Sequence, residues 1–260
     1  MPTVQSNGCP IHFEVDGAQG KPVLMFCNSL GTTLHMWDGQ MPEVLKHFRV
    51  VRYDRRGHGK SGVPAGPYTM EMLGRDALAV LDAAKVDKTN WCGLSMGGMV
   101  GMWLGAKAPQ RVDRLILSNT SAYFENKQIW NDRIKTVQEK GLQAIVGGTL
   151  ERWFTQNFRE REPEKVKAIG AMFLATKPEG YIACGQAVRD MDHREIIKTI
   201  TAPTMIIAGK QDAGTTVEMA EYLRNSIPGA GMTLFDAAHI ANIECGDAYT
   251  DAVLGFLTKK

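Results

Sequence analysis

Ser95 stands in Gly93-Leu94-Ser95-Met96-Gly97, a serine with a glycine two residues away on either side. So short a pattern arises by chance, and its flanks decide whether it carries chemistry. Here the strand-like segment Asn90 to Gly93 runs directly into it, and a helical segment, Met96 to Ala108, leaves it and stops before Pro109. A serine on such a strand-to-helix turn projects its hydroxyl clear of the backbone, where it can add to an acyl carbon, and the flanking glycines remove Cβ atoms that would clash. The helix carries three more glycines, Gly98, Gly101 and Gly105, the last two on one face. Each mid-helix glycine costs about 0.5–1 kcal/mol against alanine. Tight packing of this helix on a sheet is the expected compensation.

A serine hydroxyl needs a base to take its proton at neutral pH. Of six histidines, His12 lies in an N-terminal hairpin, His35 and His47 bracket an early helix, His58 sits in a glycine-rich turn and His193 ends a helical block. Where such a serine turn occurs, the chain order is serine, acid, histidine, with the histidine after the last strand. His239, in Asp236-Ala237-Ala238-His239-Ile240, has that address. The acid that orients the imidazole should follow an earlier strand. The slot after Leu115 to Ser118 holds Asn119, which is no acid; the slot after Thr204 to Ala208 holds Asp212. Asp236 and Asp247 are nearer to His239 in sequence, but Asp212 has the right topological position. An oxyanion would be held by the N–H of Met96, just after the serine, and by an N–H of the loop Cys27-Asn28-Ser29-Leu30-Gly31-Thr32. In that loop Leu30 is preferred over Ser29 as the donor.

These residues must be positioned by strands and helices, and the pattern supplies both. Thr3 to Ser6 and Ile11 to Val15 flank Asn7-Gly8, a two-residue hairpin signal. Val23 to Cys27, Arg49 to Asp54, Asn90 to Gly93, Leu115 to Asn119, Pro203 to Gly209 and Met232 to Phe235 read as strands. Helical spacing separates many of them, as in the run opened by Thr69 and the segments Val217 to Leu223 and Tyr249 to Leu257. Such alternation implies an α/β fold with a mostly parallel, eight-stranded sheet, helices on both faces and an antiparallel hairpin at one edge. Between about Thr120 and Thr201 strand patterns vanish, and helices are expected over Ile129 to Glu139, Leu142 to Phe154 and Pro163 to Ala175. Residues 121–200 are therefore expected to be a helical cap inserted into a core of 1–120 and 201–260, lying over the strands' carboxyl ends where ligands bind in open sheets.

The composition excludes several classes. With 260 residues, 44% hydrophobic and 22% charged, the chain can bury a large core. A net charge of +2 without a basic stripe or block argues against a nucleic acid or a membrane as partner. No stretch approaches the roughly 18–20 apolar residues of a membrane span. The N-terminus does not read as a signal peptide, and five scattered cysteines fit reduced thiols in the cytoplasm.

Taken together, Asn28-Ser29-Leu30-Gly31-Thr32 with Met36-Trp37, Tyr53-Asp54-x-Arg56-Gly57-His58-Gly59-x-Ser61, the Ser95 turn and Ala238-His239-Ile240-Ala241-Asn242-Ile243-Glu244 resemble the 3-oxoadipate enol-lactonases of the α/β-hydrolase superfamily. The likeness runs over essentially the whole chain. The first and last segments are the specific ones, and Ala241 stands where many relatives have serine. The resemblance implies cofactor-free hydrolysis of a small anionic lactone; no metal is expected, and the chain is expected to be a monomer or small homo-oligomer. Ser95, His239 and Asp212 would be catalytic, with Leu30 and Met96 at the oxyanion. The substrate's carboxylate asks for a cation or N–H donors. In the cap, Trp130 and Arg133 share a helical face and match the family's tryptophan and arginine in spacing, with Trp153 and the adjacent Arg152 as further candidates. Rival readings on the same frame are another carboxylesterase, a carbon–carbon bond hydrolase, a perhydrolase, or a hydrolase-derived ligand receptor. A dehalogenase would need Asp where Ser95 stands.

Overall fold

The structure, a computed structural model, describes residues 2–259. Strands β1 (Thr3–Ser6) and β2 (Cys9–Asp16) form the opening hairpin. At its turn Asn7 and Gly8 take φ of 47° and 77°, so the two-residue loop follows the strand twist. Strand β3 (Val23–Cys27), helix α1 (Met41–His47), β4 (Arg49–Tyr53), α2 (Met70–Ala83), β5 (Thr89–Leu94), α3 (Met96–Lys107) and β6 (Val112–Ser118) follow in turn. Then come five helices in succession: α4 (Lys127–Lys140), α5 (Val146–Trp153), α6 (Gln156–Arg161), α7 (Pro163–Leu174) and α8 (Pro178–Asp190). Strand β7 (Thr204–Gly209), α9 (Val217–Ser226), β8 (Gly231–Phe235), α10 (Ala241–Glu244) and α11 (Gly246–Leu257) complete the chain.

The eight strands make one sheet in the order β1-β2-β4-β3-β5-β6-β7-β8. The pairs β1–β2 and β2–β4 are antiparallel, and every later pair is parallel. This is the sheet read from the pattern, antiparallel edge included. The crossover through α1 places β4 on one side of β3, and the crossover through α2 places β5 on the other. The chain reverses direction across the sheet there, which opens a crevice beyond the carboxyl ends of β3 and β5. The loop after β3 and the turn at Ser95 are the two walls of that crevice.

Helix α3 is buried over most of its surface, as its almost wholly apolar sequence requires. The Trp91 indole on β5 donates to Gly97 O at 3.2 Å, under the start of α3. A Cβ at Gly101 would run into that indole, and Gly105 faces Leu115 and Ile200. A buried bidentate pair, Arg56 to Asp76, ties the turn after β4 to α2 at 2.6 Å for each contact. Helix α2 begins where expected, Thr69 Oγ1 accepting from Met72 N.

Among the inserted helices, α6 and α8 escape the sequence pattern, and the stretch beginning at Leu142 splits into a 3₁₀ turn (Leu142–Ala144) and α5. The small residues of α8 explain its weak signal. Gly180 lies so close to Gly57 that a Cβ on either would collide with the other's backbone. No helix among the described residues is long and apolar enough to cross a membrane.

Helix propensity alone makes Gly101→Ala stabilising. The Trp91 contact reverses the sign: the variant should lose about 1–3 kcal/mol through overpacking, and a thermal melt showing an unchanged or raised Tm would contradict this packing.

Candidate active site

Ser95 adopts φ 56° and ψ −117°, a conformation that costs a non-glycine residue about 1–3 kcal/mol. The surroundings hold it there. Ser95 N donates to Ser118 O at 2.8 Å, while Ser95 O accepts from Gly98 N at 2.9 Å, Met99 N at 3.1 Å and Thr120 Oγ1 at 2.7 Å. Cβ atoms at Gly93 or Gly97 would strike the backbone of Gly97 and Cys27 respectively.

His239, after β8, sets Nδ1 2.7 Å from Asp212 Oδ2, in the loop after β7. Asp212 is buried and lavishly hydrogen-bonded. Thr215 Oγ1 donates to its Oδ2 at 2.6 Å, and Gly214 N and Thr215 N donate to Oδ1 at 2.9 and 3.0 Å. Asn119 Nδ2 donates both to Asp212 Oδ2 and to Ala238 O, each at 3.1 Å. Burial raises the Asp212 pKa, but the facing His239 and the two Thr215 donors outweigh it and bring the carboxyl down to about 2. Asp212 is thus a fixed anion at neutral pH, able to orient an imidazole and to stabilise its charged form. Asp236, the sequence neighbour, instead accepts from Gln211 on the exposed side.

The loop after β3 is sorted by its hydrogen bonds. Ser29 N donates to Met36 Sδ at 3.3 Å and Gly31 N to His58 Nε2 at 2.9 Å. Leu30 N, between them, has no such acceptor among the described residues, and like Met96 its residue lines the cavity that holds Ser95. Asn28 anchors the loop: its amide donates to Tyr53 O, and its Oδ1 accepts from the Trp37 indole. The buried Arg55 guanidinium donates to Asn28 O. Leu30 and Met96 thus both border the space around Ser95, where a backbone N–H directed at a developing oxyanion can be worth about 10²–10³ in rate.

The cavity above Ser95 measures 570 Å³ and reaches from Ser95, His239 and Asp212 into the inserted helices. Trp130, Arg133 and Trp153 all line it, as does Arg152. The Arg133 guanidinium lies over the Trp130 ring, 5.6 Å from its centroid. Trp153 packs edge-on against Phe173, so its ring serves the wall as well as the space. The histidine loop is tied to these helices: Ile240 N donates to Trp153 O at 3.0 Å, and Glu244 accepts from both Ala238 N and Thr155. Asn242 completes the fastening by bonding to Met36 O and Gln40. No group of three or more metal-ligating side chains occurs among the described residues.

Sequence reasoning missed Asn119, Thr215 and His58 as members of this site. Asn119 was visible only as the place where an acid was lacking, and its φ of 45° shows a strand end turned to aim its amide. Burial, then the charge of Arg55, push His58 down to about 3. A neutral ring is what Nε2 needs to accept from Gly31 N. The unfolded state takes up a proton near the ordinary value of 6.5 and the folded state only near 3, so unfolding binds a proton between them. This contribution to stability is complete above pH 6.5 and is lost as pH falls toward 3. His58→Gln should accordingly flatten the fall of Tm between pH 6.5 and 4; a curve parallel to wild type would refute the assignment.

Comparison with known proteins agrees with this geometry. The family model for the alpha/beta hydrolase fold matches residues 22–244. 3-Oxoadipate enol-lactonase 2 of Acinetobacter baylyi is 36% identical over 96% of this chain and 94% of its own. The crystal structure of the enol-lactonase from Burkholderia xenovorans LB400 superposes with a TM-score of 0.97 at 40% identity, covering 99% of this chain and 100% of that one. A thermophilic esterase from Thermogutta terrifontis superposes at 0.91 with 27% identity, over 98% of this chain and 97% of its own. With sequence, sheet order and site in agreement, the chain belongs to the α/β-hydrolase family and is a carboxylic ester hydrolase akin to the 3-oxoadipate enol-lactonases.

Proposed function

We propose that this chain hydrolyses 3-oxoadipate enol-lactone to 3-oxoadipate through an acyl-enzyme on Ser95, beneath a cap formed by residues 121–200. One observation carries the reading. The cavity that contains Ser95 and the His239–Asp212 pair also contains Arg133, a guanidinium with no acid partner among the described residues. A lactone bearing a carboxylate presents both features the cavity addresses, and the relatives named for this reaction support the choice.

In the proposed mechanism His239 takes the Ser95 proton as Oγ adds to the lactone carbonyl. Asp212 holds the imidazole by Nδ1 and stabilises the imidazolium. The Leu30 and Met96 N–H groups receive the oxyanion. Ring opening releases an enol that is protonated from His239 and tautomerises to the ketone, still tethered through the acyl group. His239 then activates water, which cleaves the acyl-enzyme and frees Ser95. Every proton and electron pair is supplied by the chain, the lactone and water, so the route needs no cofactor. Arg133, with the Trp130 indole N–H and the Trp153 wall, would receive the substrate carboxylate.

Loss of the lactone chromophore, followed with purified protein, tests this reading. Ser95→Ala should lower kcat by at least about 10⁴-fold, and Asp212→Asn by roughly 10²–10⁴-fold. The milder effect for Asp212 follows from the easily expelled enol. A wild type that ignores the lactone while cleaving simple esters would sink the substrate assignment and leave the ester hydrolase standing. Full activity in Ser95→Ala would sink the mechanism.

A further inference from the structure

In the cap two guanidiniums share one acceptor. Arg133 Nη2, from α4, donates to Thr149 Oγ1 at 2.9 Å, and Arg152 Nη2, from α5, reaches the same oxygen at 3.4 Å. Thr149 is completely buried and neutral. Neither arginine forms an ion pair among the described residues. Asp132 also lines the cavity, but its carboxylate accepts from Gln128 on the exposed side. Burial, then the nearby charge of Arg133, hold the Arg152 pKa below the ordinary guanidinium value. Arg133 Nε is buried with no acceptor among the described residues, and Tyr181, a residue 1% exposed, sets its ring 5.6 Å from the Arg133 guanidinium carbon and its hydroxyl beside that charge. Arg133, Arg152 and Tyr181 all line the cavity above Ser95.

Two like charges held over one neutral oxygen repel each other. A carboxylate relieves them, because its two oxygens offer about four acceptor positions and can take a fork from each arginine. A neutral acyl group would leave both charges unanswered, and a site built this way rejects the ligand that lacks the group. Nothing in the arrangement asks for a lactone ring. It asks for an acyl carbon at Ser95 and a free carboxylate on the same acyl chain.

We propose that Arg133, Arg152 and Tyr181 form a paired-guanidinium carboxylate subsite, and that through it the protein also hydrolyses half-esters of short dicarboxylic acids in preference to neutral esters. The proposal deepens the reading above and rests on Ser95 as the acyl acceptor. Ser95 Oγ adds to the ester carbonyl, the carbon–oxygen bond to the alcohol breaks, and the alcohol leaves with a proton from His239. Water then cleaves the acyl-enzyme, giving one dicarboxylate and one alcohol with no change of oxidation state. Arg152 acts as the specificity determinant, since it supplies the second fork.

The probes are mono-4-nitrophenyl adipate and its counterpart with the far carboxylate capped as a methyl ester, with nitrophenolate release followed for both. Wild type should favour the charged ester in kcat/KM by at least about tenfold for each arginine. Arg152→Met should cut that preference about tenfold, mainly through KM, and Arg152→Lys should restore part of it. Adipate itself should raise the Tm of wild type by mass action, and less so that of Arg152→Met. A wild type indifferent to the far carboxylate overturns the subsite, as does an Arg152→Met variant that slows both esters equally. The enol-lactone run in parallel separates the two readings. Wild type that prefers the charged ester but spares the lactone fails only as a lactonase; wild type that opens the lactone without preferring the charged ester fails only here.

Discussion

A serine held at positive φ is the constraint on which the rest of the molecule depends. Ser95 cannot relax toward an ordinary conformation, because four backbone and side-chain hydrogen bonds fix its peptide from β6, α3 and Thr120. That bracing requires α3 to lie hard against β5 and β6, which in turn requires glycine where the helix meets Trp91. Local strain of about 1–3 kcal/mol is thus offset by packing spread over two strands and a helix. The glycines that look costly in an isolated helix are the condition for seating the turn.

Electrostatics at the site follow a similar economy. One buried carboxylate, Asp212, is surrounded by donors from Thr215, Gly214 and Asn119, so it remains an anion despite its burial. Had Asn119 been a second acid, two carboxylates would have competed for one imidazole and one of them would have been driven neutral. The amide in that slot instead joins Asp212 to the carbonyl of Ala238, next to His239. On the opposite wall His58 is kept neutral by burial and by Arg55, and its free nitrogen fixes the Gly31 peptide beside Leu30.

The core was legible because its signals are local. Apolar runs such as Val23–Cys27 and Thr204–Gly209 can only be strands covered on both faces, and Asn7-Gly8 can hardly be anything but a hairpin turn. Ser95, Asp212 and His239 could be addressed by topology, each lying just beyond a strand's carboxyl end. Partners defined by geometry alone were not legible. Nothing near Asn119 in sequence says that its amide crosses to Asp212, 93 positions away. The pairing of Arg133 with Arg152 depends on how α4 and α5 meet, and the helices of the insertion pack by small residues that blur the periodicity. Helix α8, with Gly180 against Gly57, is the plainest case.

The fastening of the histidine loop has a mechanical meaning. Ile240 is bonded to Trp153 at the end of α5, and Glu244 grips both Ala238 and the Thr155 cap of α6. An outward swing of the α5–α6 junction must either break these bonds or drag the segment around His239 along with it. A displacement that spared these bonds would therefore move the cavity wall and the imidazole together, so the width of the chamber and the placing of His239 are mechanically coupled.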